Sequence, residues 1–167
     1  MRQENITNKI LYAVAIFCFG FSVLNLLYDR SLWLDEACLS LNFQTRSFWE
    51  LLFPLDHRQV GPIGFLFVEK AFFELFGKSG FSLTIFPFLG FFGSVVLLYK
   101  ISLLIYKHKS FGYLAVVLFC ISPSIIRYST EIKQYSTDIF WTLLILYSCL
   151  IYIKTNNLRL LTVVCIA

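Results

Sequence analysis

Long uncharged apolar runs separated by short charged turns dominate the chain. No charged side chain interrupts residues 10–28, and at ~1.5 Å rise per residue such a helix matches a hydrocarbon core about 30 Å thick. Comparable runs occupy residues 85–105, 111–127 and 137–153, so the pattern predicts about four membrane-spanning helices. Residues 29–61 are different. They mix Asp29, Arg30, Asp35, Glu36, Arg46, Glu50, Asp56, His57 and Arg58 with Trp33, Leu39, Phe48, Trp49 and Phe53. This stretch is too apolar for a linker and too charged to span, which predicts short helices lying along the membrane interface. Pro54 and Gly61-Pro62 punctuate it.

A further helix is expected over residues 63–76. Lys70, Glu74 and Lys78 recur at i, i+4 and i+8, opposite Phe65, Leu66, Phe72, Phe73 and Phe76. Crossing the bilayer would place Glu69, Lys70 and Glu74 in hydrocarbon at a cost of about 3 kcal/mol each. An interfacial helix avoids that cost, and Gly77-Lys78-Ser79-Gly80 would end it. Residues 160–167 read as the start of another span. The expected fold is therefore all-α and integral to the membrane. Residues 1–167 would form one partial transmembrane domain with an outer loop at 29–80.

Composition narrows the function classes. With 58% hydrophobic, 19% aromatic and 14% charged residues, a soluble domain of this size is excluded. The net charge of +4 reflects membrane topology, and no basic cluster interleaved with aromatics suggests nucleic acid as a partner. Five cysteines are present without Cys-x-x-Cys or Cys/His spacing, so neither a disulfide framework nor a zinc site is indicated. The first apolar run is longer than the ~7–15 residues of a signal peptide, and Leu26-Leu27-Tyr28-Asp29-Arg30 is too bulky for cleavage; a retained helix is expected.

Cation counts tie, seven of the fourteen Lys and Arg falling on each side of the expected spans. One set lies in short turns (Lys100, Lys107, Lys109, Lys154, Arg159) and beside the first span (Arg2, Lys9), where the positive-inside rule applies. The other is spread through the long acidic loop. The N-terminus is thus expected in the cytoplasm of the cell (inner or plasma) membrane, with Asp35-Glu36 and the hairpin around Glu131 both facing outward.

Those two outward acidic motifs are the candidates for chemistry. Adjacent Asp35 and Glu36 project about 100° apart on a helix, so one is expected to act while the other orients it or pairs with a cation. Glu131 and Lys133 would share a side of an extended turn. Trp33, Tyr128 and Tyr135 read as interfacial anchors.

The order of these motifs resembles a known family. An apolar span leads to Trp33-x-Asp35-Glu36, then to Asp56-His57-Arg58-Gln59-Val60-Gly61-Pro62. An aromatic helix closing in Phe76-Gly77-Lys78-Ser79 follows, and then a span. Last comes Ile121-Ser122-Pro123-Ser124-Ile125-Ile126-Arg127-Tyr128-Ser129-x-Glu131-x-Lys133-x-Tyr135-Ser136. Residues 28–153 are thereby similar to the N-terminal part of membrane-embedded GT-C glycosyltransferases, the group of protein O-mannosyltransferases, aminoarabinose transferases and their bacterial relatives.

The resemblance implies transfer of a sugar from a polyprenyl-phosphate carrier to an acceptor hydroxyl on the outer face, among membrane lipid. Asp35 matches the general base and Glu36 its neighbour. Glu131, Lys133 and Tyr135 match a Glu-x-Arg-x-Tyr pattern in which Lys replaces the commoner Arg. His57, Gln59 and Pro62 fall on a loop that closes over the site. Thr84 stands where many relatives carry Arg. Because a glycosyl phosphate already holds a good leaving group, what remains is deprotonating the acceptor and neutralising the departing phosphate. Lys133, Arg127 and Arg58 are candidates for the second task. No cofactor is implied, while a divalent metal, the sugar and the acceptor stay open. The competing reading is a non-catalytic membrane protein: an inactive remnant, a scaffold or a transporter subunit. Charges gathered on one face rather than at mid-membrane favour surface chemistry over permeation. Because relatives carry many more spans, the chain alone is expected to be inactive.

Overall fold

The computed structural model describes residues 2–28 and 31–156; the expected start of a further span at 160–167 lies outside the described residues. Their helices are α1 (Arg2–Leu27), α2 (Leu34–Thr45), α3 (Ile63–Leu75), α4 (Gly80–Tyr106), α5 (Lys109–Cys120), α6 (Pro123–Tyr128) and α7 (Tyr135–Thr155), with single 3-10 turns at Glu50–Leu52 and Asp56–Arg58. No strand occurs among the described residues. The protein is an all-α membrane protein. Among the described residues, three segments are long and apolar enough to cross a bilayer: Lys9–Leu27, Gly80–Tyr106 and Tyr135–Thr155.

The expected third span is not one helix. α5 has only 12 residues, about 18 Å at ~1.5 Å per residue, short of the ~30 Å hydrocarbon core. The break follows from Pro123, which has no N–H to continue the ladder and pushes the preceding residue out of helical geometry. Ser122 accordingly adopts φ −66°, ψ 121°, and Pro123 begins α6. The second span starts earlier than the apolar run at 85–105 suggests. Ser79 caps α4 by accepting a hydrogen bond from the Ser82 backbone N–H at 3.3 Å, which draws the polar Gly80–Thr84 turn into the helix.

The charged stripe on α3 is split: Glu74 and Lys78 are exposed, whereas its first member and the neighbouring Glu69 are not. Lys70 is buried, its Nζ donating to the Phe43 carbonyl at 2.8 Å and pairing with Glu74 at 2.9 Å. Glu69 is fully buried, and neither carboxylate oxygen has a hydrogen-bond partner. Lys78 lies in the turn beyond the helix. Glu69 and Lys70 are buried because α3 packs its Phe65, Leu66 and Phe73 face into a cluster with Leu39, Phe43, Leu51, Leu83 and Ile132. That cluster fastens α2 and α3 to the hairpin and to the start of α4.

α4 is the central element, packed most extensively on α7 and then on α5, while α1 lies on α5. Close approach to α7 needs small residues, as in other membrane helix pairs. A Cβ at Gly90 would fall 3.1 Å from the Ser136 backbone, and one at Gly93 would fall 2.6 Å from the Phe140 ring. A second cluster, with Ala15, Phe91, Val116 and Cys120 at its centre and Phe19 packed against it, joins α1, α4 and α5. Phe19 stacks on Phe91 at 6.1 Å. The end of α1, residues 31–79, the start of α4, α6 and the start of α7 therefore meet at one end of the bundle. The Lys107-His108 turn lies at the other.

Candidate functional site

α2 begins where Leu34 follows an extended Trp33 (φ −65°, ψ 155°), and it places Asp35 and Glu36 in its first turn, where negative charge complements the helix dipole. The two carboxylates then diverge, as their helical spacing requires. Glu36 turns inward and is fully buried. Its Oε2 accepts the Trp33 backbone N–H at 3.0 Å, and its Oε1 accepts the Ile132 backbone N–H at 2.8 Å. Asp35 turns outward, with its side chain 65% exposed.

That inward tie brings the neighbour of Ile132 onto the neighbour of Glu36. Lys133 Nζ sits 2.7 Å from Asp35 Oδ2 and donates to Gln59 Oε1 at 2.9 Å. Gln59 Nε2 donates to Asp35 Oδ1 at 2.8 Å, closing a three-membered ring. Lys133 and Gln59 hold the Asp35 carboxyl below its ordinary value, chiefly through these hydrogen bonds and then through the lysine's charge. Asp35 is thus kept in its ionised form. Asn25, near the end of α1, adds a further tie by donating to Thr130 Oγ1 at 2.9 Å. Three separate elements therefore anchor the hairpin.

Beside the ring lies an open pocket of about 420 Å³ lined by Trp33, Leu34, Asp35, Cys38, His57, Gln59, Arg127 and Glu131. Arg127 Nε donates to Glu131 Oε2 at 3.2 Å, and its guanidinium stacks over the Trp33 ring at 4.8 Å. An apolar groove of about 370 Å³ adjoins it, lined by Phe21, Asn25, Trp33, Pro123, Ile126 and Arg127. Trp33 and Arg127 belong to both.

The loop carrying Gln59 is held in an uncommon shape. His57 and Arg58 have φ 57° and φ 56°, left-handed values that cost a non-glycine residue about 1 kcal/mol or more. Arg46 overdetermines the loop by gripping Asp56 through two nitrogens at 2.9 and 3.1 Å, and Asn42 accepts the Asp56 backbone N–H at 2.8 Å.

Of the sequence candidates, Asp35, Gln59, His57, Arg127 and Glu131 share the pocket, while Lys133 stands behind Asp35 and Gln59 with 9% of its side chain exposed. Glu36 is the buried tie. Arg58 lines a different groove, with Leu51, Pro54 and Ile63. Tyr135 packs on Tyr128 at 4.7 Å between ring centroids, outside the pocket. Among the described residues, no group of three or more His, Cys, Asp and Glu converges as a metal site would. Trp33 and Cys38 were not singled out as site residues from the sequence. For Trp33 the signal was its place two residues before Asp35; for Cys38, one helical turn after it, no signal rose above a small packed residue.

The model of the dolichyl-phosphate-mannose-protein mannosyltransferase family matches residues 60–167. The chain belongs to this family. The matched part contains the Glu131–Lys133 hairpin, Arg127 and α7, and Asp35 lies ahead of it. Comparison with curated proteins and with solved structures returned no match. The family is one of membrane glycosyltransferases, and membership implies a lipid-linked sugar as the kind of donor and an acceptor at the membrane.

Proposed function

We propose that this mannosyltransferase-family chain carries the catalytic end of an enzyme that moves a sugar from a polyprenyl phosphate to an acceptor hydroxyl on the extracytoplasmic side of the cell membrane. The observation that carries the reading is the Asp35–Lys133 contact at 2.7 Å: a carboxylate that lines the pocket is held from behind by a cation from a segment far away in sequence. In the reaction, Asp35 accepts the hydroxyl proton as the acceptor oxygen bonds to the anomeric carbon. The bond from that carbon to the phosphate oxygen breaks, and polyprenyl phosphate leaves with the electron pair. Asp35 ends protonated, and a pocket cation neutralises the phosphate. The short-turn Lys clusters support the outward orientation.

The test uses the enzyme containing this chain, reconstituted in liposomes with radiolabelled polyprenyl-phosphate mannose and a hydroxyl-bearing acceptor. Label appearing on the acceptor, with polyprenyl phosphate released, is the expected result. A donor that remains intact with every hydroxyl acceptor offered would overturn the reading.

A further inference from the structure

The roles of the two pocket-side cations can be separated. We propose that Arg127, rather than Lys133, holds the donor phosphate, with the polyprenyl chain running down the Phe21–Pro123–Ile126 groove; Lys133 is a positioning residue for Asp35. This rests on the donor reading above and assigns its parts.

Three observations carry it. First, Lys133 is spoken for. Its Nζ is engaged by Asp35 and Gln59, its side chain is 9% exposed, and it does not line the pocket. A phosphate arriving from the pocket would meet Asp35 and Gln59 before it. Second, Arg127 is available. Its side chain is 55% exposed, and only Nε is used, toward Glu131. Among the described residues its two terminal nitrogens hold no hydrogen bond, and guanidinium presents them in the fork that suits two phosphate oxygens. The Trp33 ring beneath fixes the plane of that fork. Third, Arg127 and Trp33 stand where the charged pocket meets the apolar groove. A lipid phosphate needs that juxtaposition, with its charge on one side of a residue and its chain on the other. Pro123 makes the groove possible, because the break before it interrupts what would otherwise be a continuous helical wall.

The experiment measures binding of a polyprenyl phosphate to the purified protein in nanodiscs of neutral lipid. Arg127→Gln is expected to weaken binding about 10- to 100-fold, as loss of a charged hydrogen-bond donor does. Arg127→Lys keeps the Glu131 pair and therefore the local fold. It is expected to fall in between, since a point charge replaces the fork. Lys133→Gln should stay within about twofold of wild type, because its cation does not reach the phosphate. Its effect appears instead on Asp35, whose carbodiimide-labelling midpoint should move up in pH. Asp35 is faced by Lys133 and Glu131 of the hairpin, Arg127 of α6, His57 of the second 3-10 turn and Cys38 of α2. Of these, Lys133 makes the direct contact, so Arg127→Lys should leave the midpoint in place.

If Lys133→Gln weakens binding as much as Arg127→Gln, or both Arg127 variants bind like wild type, the division of roles is wrong. Equal Arg127-dependence with phosphatidylglycerol would assign the fork to bulk headgroups and overturn the donor assignment. Wild-type protein that binds no polyprenyl phosphate at all would defeat the underlying donor reading.

Discussion

Glu36 offers the sharpest structural test, because one buried carboxylate sets the register between α2 and the hairpin. Truncation in Glu36→Ala removes the acceptor for two backbone N–H groups, those of Trp33 and Ile132. Trp33 is 59% exposed, so water replaces its bond, and the loss there resembles that of a helix cap, about 1 kcal/mol. Ile132 is fully buried; its N–H is stranded at a cost of about 2–3 kcal/mol. Together the substitution destabilises by roughly 3–4 kcal/mol, or about 6–16 °C in Tm for a domain of this size. Glu36→Gln keeps one carbonyl oxygen for Ile132 and loses only the capping contribution, about 1 kcal/mol. Thermal unfolding in detergent micelles measures the ordering. A second readout is cross-linking of Asp35→Cys to Lys133→Cys by a short bifunctional thiol reagent after replacing the native cysteines, a trap that should proceed with Glu36 and slow sharply with Glu36→Ala. If Glu36→Ala melts within about 2 °C of wild type and traps equally fast, the carboxylate does not hold the hairpin.

Three further expectations follow from particular groups. Burial pushes the Glu69 carboxyl well above the usual carboxylate range, so it folds neutral, and its contribution is greatest at low pH and lost as pH rises; Glu69→Leu should raise Tm at neutral pH by an amount equivalent to about 1–3 kcal/mol, and a drop would show that the carboxyl has an essential partner. Because Lys133 and Gln59 depress the Asp35 pKa, the stability this contact gives is present above 3.8, the ordinary aspartate value, and is lost as pH falls through the lower folded value. Asp35 is mostly exposed, so the effect stays under about 1 kcal/mol. An acid melting profile identical in Lys133→Gln would remove it. For sidedness, cysteines at Ser31 and Lys109 should differ in intact cells, with an impermeant reagent labelling the first and not the second; equal labelling would overturn the orientation.

Much of this was legible in the sequence where the signal was local. The apolar runs at 10–28 and 137–153 became α1 and α7 because uninterrupted hydrophobic length is a property of the run itself. The charged stretch at 31–61 was recognisable as short helices, and Asp35 and the 131–133 hairpin were both singled out as the candidates for chemistry. What could not be read depended on distant partners. Glu69 and Lys70 were legible as charges unsuited to hydrocarbon, yet both are buried in the fold, Lys70 against the Phe43 carbonyl of α2. Pro123 was visible, but its apolar surroundings concealed the break it makes. Glu36 reaches the backbone of Ile132, and backbone N–H groups leave no mark in sequence. The stacking of Arg127 on Trp33 likewise depends on α6 being turned away from α5.

Whether Asp35 is the base for sugar transfer is decided by the turnover of Asp35→Asn. The comparison is made in the enzyme containing this chain, reconstituted in liposomes, with wild type and Asp35→Asn matched for polyprenyl phosphate binding. The asparagine keeps shape and hydrogen-bonding reach but cannot take the acceptor proton, so turnover should fall by at least the ~10²-fold typical of general-base loss while donor binding persists. Transfer by Asp35→Asn at a near wild-type rate would contradict the account and leave Asp35 as a loop carboxylate paired with Lys133.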